Sequence, residues 1–165
     1  LFGASISNNA WSDDDGLEKA LFRPTFGAFA LINVTPTLAI QPEINYLVTG
    51  EWWNDEVKDV EAFTYIHIPV LLRARLMKEG KFIPVVFAGP AIGFLLRARD
   101  QGEDVKRYFK STDFGADLGL GAETTLDKMR AFLDVRYYLG LTNVWTGPSF
   151  SMKNRGFIVT VGLIF

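Results

Sequence analysis

Side chains able to take part in acid–base chemistry recur at every second position in several stretches of the chain. Glu43 has an amide side chain two residues away on each side, and Asp134 stands two residues before Arg136. Carboxylates grouped in this way could act as general acid and general base. Carboxylates placed against arginines could instead form buried ion pairs. The choice depends on whether the elements that hold them enclose an open cleft or a filled interior.

His67 is the single histidine, and the chain has no cysteine. Thiolate catalysis and thiolate metal sites are therefore absent, and a histidine-dependent hydrolase would have to use His67. Its sequence neighbours include no obvious serine nucleophile. The acidic run Asp13–Gly16 lacks a later glutamate at the spacing of a calcium loop. We therefore expect no catalytic residues, no metal and no cofactor.

Alternation in the stretch from 65 to 76 indicates the elements that hold these residues. Successive side chains of a β-strand point to opposite faces. One face here is wholly apolar, from Ile66 to Leu76, and the other carries His67, Arg73 and Arg75. The strand exceeds ten residues, whereas soluble strands usually have about five or six and membrane-spanning strands about 9–11. A transmembrane strand fits better, with its apolar face toward lipid.

The next stretch repeats the pattern after a turn at Lys78–Lys81, in which Gly80 could adopt a positive φ. From Phe82 to Ala98, alternate residues form a face without charge. Strict alternation places Arg97 and Arg99 on the opposite face, which points into the interior. Four prolines fall within the strands, and we expect bulges or local gaps at each, because proline cannot donate to the ladder. They are Pro42, Pro69, Pro84 and Pro90.

Composition agrees with a membrane barrel made of strands. The 165 residues suit a single domain spanning 1–165, 48% of them are hydrophobic, and the net charge is −2. No apolar run reaches the length of a transmembrane helix. The weak net charge gives no nucleic-acid footprint, so no nucleic-acid partner is expected.

Eight strand candidates follow one another, and their connections alternate between long and short. The first candidate, residues 1–7, looks shortened, and the register of the second, residues 22–33, is the least well defined. Short turns on one side and long loops on the other are typical of outer-membrane barrels. The predicted fold is all-β: an eight-stranded antiparallel up-and-down transmembrane β-barrel in the bacterial outer membrane.

A barrel of eight strands is just wide enough to be filled by its own side chains. We expect the polar residues of the inner face to form a network of ion pairs and hydrogen bonds that fills the lumen. Its predicted members are Glu43, His67, Arg73, Arg75, Asp117, Glu123, Asp134 and Arg136.

The four tryptophans fall in the long loops or at their ends, which predicts an aromatic rim on one side of the membrane. They are Trp11, Trp52, Trp53 and Trp145.

Several strand motifs resemble the PorT-like outer-membrane β-barrel family, which is common in Bacteroidetes. The stretch Leu38–Tyr46 resembles its "LQPEL-Y" strand, Tyr65–Leu72 its "YLxIPLLLK" strand, and Gly89–Gly93 its "GPYxG" strand. The residues from Asp134 to Leu141 match a later strand. The resemblance implies an eight-stranded barrel in the outer membrane, and the terminal strand resembles the signal read by the barrel-insertion machinery.

These observations predict a porin-like membrane protein with a structural or interaction role and no catalysis. Its expected partners are the lipid bilayer, the insertion machinery and other envelope proteins. Three alternatives remain open, and an enzyme is the third. A small barrel could bind or pass hydrophobic molecules if apolar space were left near Phe87, Leu95, Phe29 and Leu71. A soluble lipocalin-like binder would require the opposite polarity, with the charge-free face inside.

Overall fold

The computed structural model describes residues 2–11, 19–52, 60–100, 103–126, 129–147 and 151–164, with backbone alone at 2–11, 19–23, 50–52, 60–62 and 100. These residues form antiparallel strands and one short 3-10 turn at Lys106–Tyr108. The strands are β1 (Phe2–Trp11), β2 (Lys19–Phe29), β3 (Ile32–Asn33), β4 (Leu38–Trp52), β5 (Val60–Arg75), β6 (Ile83–Asp100), β7 (Glu103–Asp104), β8 (Thr112–Leu126), β9 (Met129–Gly140) and β10 (Met152–Ile164).

The eight long strands close into a ring. Each pairs with the next long strand along the chain, and β1 pairs with β10 over the whole length of β1. This closure confirms the predicted all-β barrel. The prediction of a shortened first strand was wrong, because β1 runs for ten residues and ends at Trp11. Gly80 lies in a short turn with a φ of +153°, as its position predicted.

No helix of the described residues is long and apolar enough to span a membrane.

The polarity of the wall follows the sequence alternation. Large apolar side chains face outward, with Phe26 at 52% exposure and Leu120 at 63%. Charged side chains face inward and are almost fully covered, with Asp134 at 0% and Arg136 at 1%. An apolar exterior around a charged interior is the reverse of a soluble lipocalin-like barrel, so that alternative is excluded.

Prolines interrupt the strand ladder in its middle without changing its register. Between β4 and β5 the pairing stops after Pro42, and between β5 and β6 it stops after Pro69, in each case resuming with an unchanged register. These local gaps agree with the expectation for proline. The expectation was wrong at Pro84, which sits in unbroken pairing with β8.

A β-bulge near the end of β6 changes which residues face the lumen. The β5–β6 register shifts by one residue between Thr64 and Tyr65. Leu95 and Ala98 are buried, whereas Arg97 and Arg99 are exposed. A bulge sets two residues of one strand against one of its neighbour and so reverses the alternation beyond it. The prediction that both arginines point inward was therefore wrong.

Candidate functional site

The end of the lumen next to the short turns is filled by an ionic network centred on Arg73. The Nε of Arg73 donates to Glu123 at 2.9 Å, and its two terminal nitrogens donate to Asp134 at 2.7 and 3.1 Å. Glu123 also accepts from Arg130 at 3.0 Å, and Arg75 approaches it at 3.4 Å. Arg73, Glu123 and Asp134 are each at most 2% exposed. Each carboxylate is therefore matched by a cation, and the carboxylates and Arg73 are covered from solvent.

A second group lies above the first and is centred on Arg136. Its two terminal nitrogens donate to the two oxygens of Glu43 at 2.8 and 2.9 Å. The amide side chains of Gln41 and Asn45 donate to the same carboxylate at 2.7 and 2.8 Å. Glu43 thus accepts four hydrogen bonds, which satisfies a buried carboxylate. The spacing of two residues places all three β4 side chains on the inner face.

The ring of Phe87 joins these two groups. The guanidinium carbon of Arg73 lies 5.5 Å from its centroid, and that of Arg136 lies 5.4 Å from it. A guanidinium cation is attracted to the face of an aromatic ring, whose surface is partially negative. Gly119 makes room for the ring, because a Cβ at that position would lie 2.6 Å from Phe87.

His67 and Asp117 complete the predicted network further up the lumen. The Nε2 of His67 lies 2.9 Å from an Asp117 carboxylate oxygen, and Arg136 approaches the same oxygen at 3.7 Å. The ring of His67 packs edge-on against Tyr138 at 4.9 Å. All eight predicted lumen residues are thus brought together. An imidazole oriented by a carboxylate is the arrangement in which histidine can serve as a base.

A polar cluster that the sequence interpretation missed lies beside His67. Asp113 accepts hydrogen bonds from Thr142 at 2.8 Å and from Asn154 at 2.8 Å. Asn154 also donates to the Tyr65 hydroxyl at 3.1 Å. Asp113 shares the parity of Asp117 in β8, whose side chain also faces inward. Its partners Thr142 and Asn154 lie 29 and 41 residues away in the sequence, so no local pattern indicates these contacts.

A small cavity of about 10 Å³ opens next to this cluster. Thr49, Tyr138 and Asn154 are among its lining residues, and each has a buried polar atom without a hydrogen-bond partner of normal geometry. A space of that volume is about the size of one water molecule. The cavity is therefore too small to pass a solute.

The end of the lumen next to the long loops, which is the extracellular end in outer-membrane barrels, is filled by an apolar cluster that we call the cap. It consists of Phe63, Tyr65, Leu95, Ala98, Phe109, Val144 and Met152, with Val105 and Trp145 packed against it. Phe109 meets Phe63 edge-on at 4.7 Å and Trp145 at 5.3 Å. Phe109, in the loop after β6, also forms a β-bridge with Trp145, in the loop after β9. The cap thus fixes the loop after β6 to the loop after β9.

The tryptophans that the structure describes lie at the extracellular end of the chain's long strands or in a loop there, and the aromatic rim stays a prediction. Trp11 is the last residue of β1 and Trp52 the last residue of β4. Trp145 stacks on Tyr108 with ring centroids 6.1 Å apart. Trp53 lies outside the described residues.

Among the described residues, no group of three or more histidine, aspartate or glutamate side chains lies close enough to hold a metal ion. The expectation of a barrel without metal or cofactor stays a prediction.

Comparison with known proteins assigns the family. A model of the outer membrane protein beta-barrel domain matches residues 3–145. The chain belongs to this outer-membrane β-barrel family. Its location is therefore the bacterial outer membrane, with the lipid bilayer around its apolar wall. No curated protein matches the sequence.

A solved structure shares the fold over its whole length. The crystal structure of the outer membrane enzyme PagL superposes with a TM-score of 0.54 at 12% sequence identity, covering 99% of this chain and 97% of that chain. A barrel of this fold can therefore be an enzyme. The prediction of a structural or interaction protein without catalysis was wrong, because neither a filled lumen nor the lack of a serine near His67 in the sequence excludes an enzyme of this fold.

Proposed function

We propose that this protein is a closed, non-conducting outer-membrane barrel that meets its ligand or substrate at the extracellular end. The observation that carries the proposal is that described side chains fill the lumen at two levels along the barrel axis. The Arg73 and Arg136 groups occupy one half, and the cap occupies the other. Phe87, which joins the two ionic groups, is 4% exposed and Leu71 is 0% exposed, so these described residues leave no apolar passage through that part of the lumen. Phe29 lines an open pocket of about 450 Å³ at the end near the short turns.

Conductance in a planar bilayer tests this proposal. Reconstituted wild-type protein is expected to leave the membrane current at the level of the lipid alone, while a porin in the same bilayer gives discrete steps. A gel-mobility shift on boiling confirms that the protein is folded before reconstitution. Reproducible conductance steps from the folded wild type would overturn the proposal.

Catalysis is the second candidate function, suggested by the likeness to the outer membrane enzyme PagL. In this chain, it is favoured by the His67–Asp117 pair, which packs against Tyr138. His67 would be the base in such a site. Because His67 is only 2% exposed, a substrate could reach it only after the side chains around it had moved.

A model fatty ester, p-nitrophenyl decanoate in detergent micelles, tests the second candidate. Turnover above protein-free micelles that disappears in His67→Gln and persists in Lys78→Gln would support it. Lys78 lies in the turn at the other end of the barrel and is exposed. Turnover equal to the blank, or equal in wild type and His67→Gln, would rule it out.

The finer assignment to PorT-like proteins is also proposed. It is supported by the order of the motifs from Leu38 to Leu141, which follows successive strands of the barrel. A single domain spanning 1–165 is supported by the closure of β1 on β10, and the barrel-insertion machinery stays a predicted partner.

A further inference from the structure

The outer wall changes chemistry at its extracellular end. Where side chains are described, the outward positions in the middle of the long strands are apolar. Among the described side chains of the long strands, charges appear on outward positions only near the extracellular ends of β6 and β10, and all of these are basic. These residues, which we call the basic rim, are Arg97, Arg99, Lys153 and Arg155.

The bulge in β6 turns two of these side chains outward. Leu95 is 3% exposed and Leu96 47%, which places Leu96 on the lipid side. After the bulge Ala98 is fully buried, and the arginines on either side of it are exposed. Without the extra residue, Arg97 and Arg99 would extend into the cap. Bulges often re-aim side chains at the rims of barrels.

The loop after β6 extends the positive charge toward β10. Lys106, Arg107 and Lys110 are close to the extracellular end, and the Lys110 backbone N–H donates to Val144 in the next loop at 2.8 Å. Asp104 lies opposite Arg99 and accepts a hydrogen bond from the Lys106 backbone. The segment 97–110 nevertheless holds five basic and three acidic residues.

Arg97 and Arg99 are exposed, and neither forms an ion pair with another described residue. They stand directly above Phe94 and Leu96, which are 41% and 47% exposed on the lipid side. The two arginines therefore lie where the apolar wall ends, at the depth of the lipid headgroups. Guanidinium groups bind phosphate through paired hydrogen bonds, and basic side chains near a membrane surface attract anionic lipids.

We infer that the basic rim binds the phosphate groups of lipids in the outer leaflet. The inference deepens the proposed function and rests on it only in placing the working surface at the extracellular end. Free phosphate offers the same chemistry. Lipid is the better match because the arginines lie on the outside of the wall, in line with the apolar surface that acyl chains cover.

Lipid binding to purified protein in neutral detergent, followed by native mass spectrometry, tests the inference. The probes are a phosphatidic acid, a phosphatidylcholine with the same acyl chains, and inorganic phosphate. The test variant is Arg97→Gln/Arg99→Gln. The matched control is Lys78→Gln/Lys81→Gln, which removes two exposed charges at the opposite end of the barrel. Boiling-dependent gel mobility shows that each variant is folded.

The wild type is expected to prefer phosphatidic acid over phosphatidylcholine. Each basic residue near an anionic surface contributes about fivefold to binding, so the Arg97/Arg99 variant should bind about ten- to thirtyfold more weakly. The control should bind as the wild type does. Equal loss in test and control variants, no preference for the anionic lipid, or binding of inorganic phosphate alone would each overturn the inference. Because lipid binding and conductance are separate measurements, failure here is distinguishable from failure of the proposed function.

Discussion

The two halves of the lumen are filled by different kinds of interaction. Toward the short turns, Arg73 and Arg136 bind the carboxylates of Glu43, Glu123 and Asp134 in fixed geometry. Toward the extracellular end, the cap packs aromatic and aliphatic side chains around Phe109. The first half depends on matching charges one for one. The second depends on filling volume, and it includes loop residues as well as strand residues.

This difference teaches where the barrel can tolerate change. An ionic group buried without its partner costs several kcal/mol, whatever its size. An apolar residue can be replaced by another of similar volume for about 1.5 kcal/mol or less. The half near the short turns should therefore be intolerant of change, and the half under the loops should be open to variation in side chain and loop length.

The largest effect is expected for Arg73→Ala. Asp134 would lose both of its hydrogen bonds from Arg73, while Glu123 would keep Arg130. A buried carboxylate without its partner predicts a loss of about 3–5 kcal/mol in the free energy of unfolding. Urea unfolding in micelles, followed by gel mobility, measures it.

Two further variants isolate the cause. Arg73→Met keeps most of the volume and should lose nearly as much stability as Arg73→Ala. Arg73→Met/Asp134→Leu removes both charges and should recover much of the loss, since a buried ion pair can be replaced by apolar residues at little cost. Full recovery by Arg73→Met alone would contradict the ionic account of this half.

Sequence alternation predicted this half well and the other half poorly. The inner positions of Glu43, Arg73 and Arg136 follow from the period of two, and charges that share a closed space must pair. Alternation fails where a bulge intervenes, as it does before Arg97. A bulge depends on how β6 meets β5, and the contact of Phe109 with Trp145 depends on two loops meeting. Neither leaves a periodic pattern in the sequence.

The cap should respond to volume instead of charge. Phe63 is 1% exposed and packs on Phe109, so Phe63→Ala is expected to cost about 3 kcal/mol, the low end for a buried phenylalanine. Phe63→Leu should restore most of that stability, in contrast to the conservative change at Arg73. Urea unfolding under the same conditions gives both values. Equal losses for Phe63→Leu and Phe63→Ala would remove the proposed difference between the halves.

His67 lies between the two halves, so its substitution sharpens the boundary. His67→Phe keeps the edge-on contact with Tyr138 but removes the hydrogen bond to Asp117. Because Asp117 keeps only the longer approach of Arg136, we expect a loss of about 1–3 kcal/mol. A loss as large as that of Arg73→Ala would extend the ionic half upward past His67. A loss below measurement error would mean that the volume-filling half begins at His67.

The smallest effect is expected for Thr142, where the polar cluster meets the loop after β9. Its hydroxyl donates to Asp113 and accepts from the Phe114 backbone N–H at 3.0 Å. Thr142→Val keeps the shape and removes both bonds, which predicts a loss of about 1–2 kcal/mol, since Asp113 keeps Asn154. Thr124→Val is the control, because Thr124 makes one exposed bond to the Lys81 carbonyl. If the two variants lose the same stability, Asp113 does not depend on Thr142, and the polar cluster behaves as part of the volume-filling half.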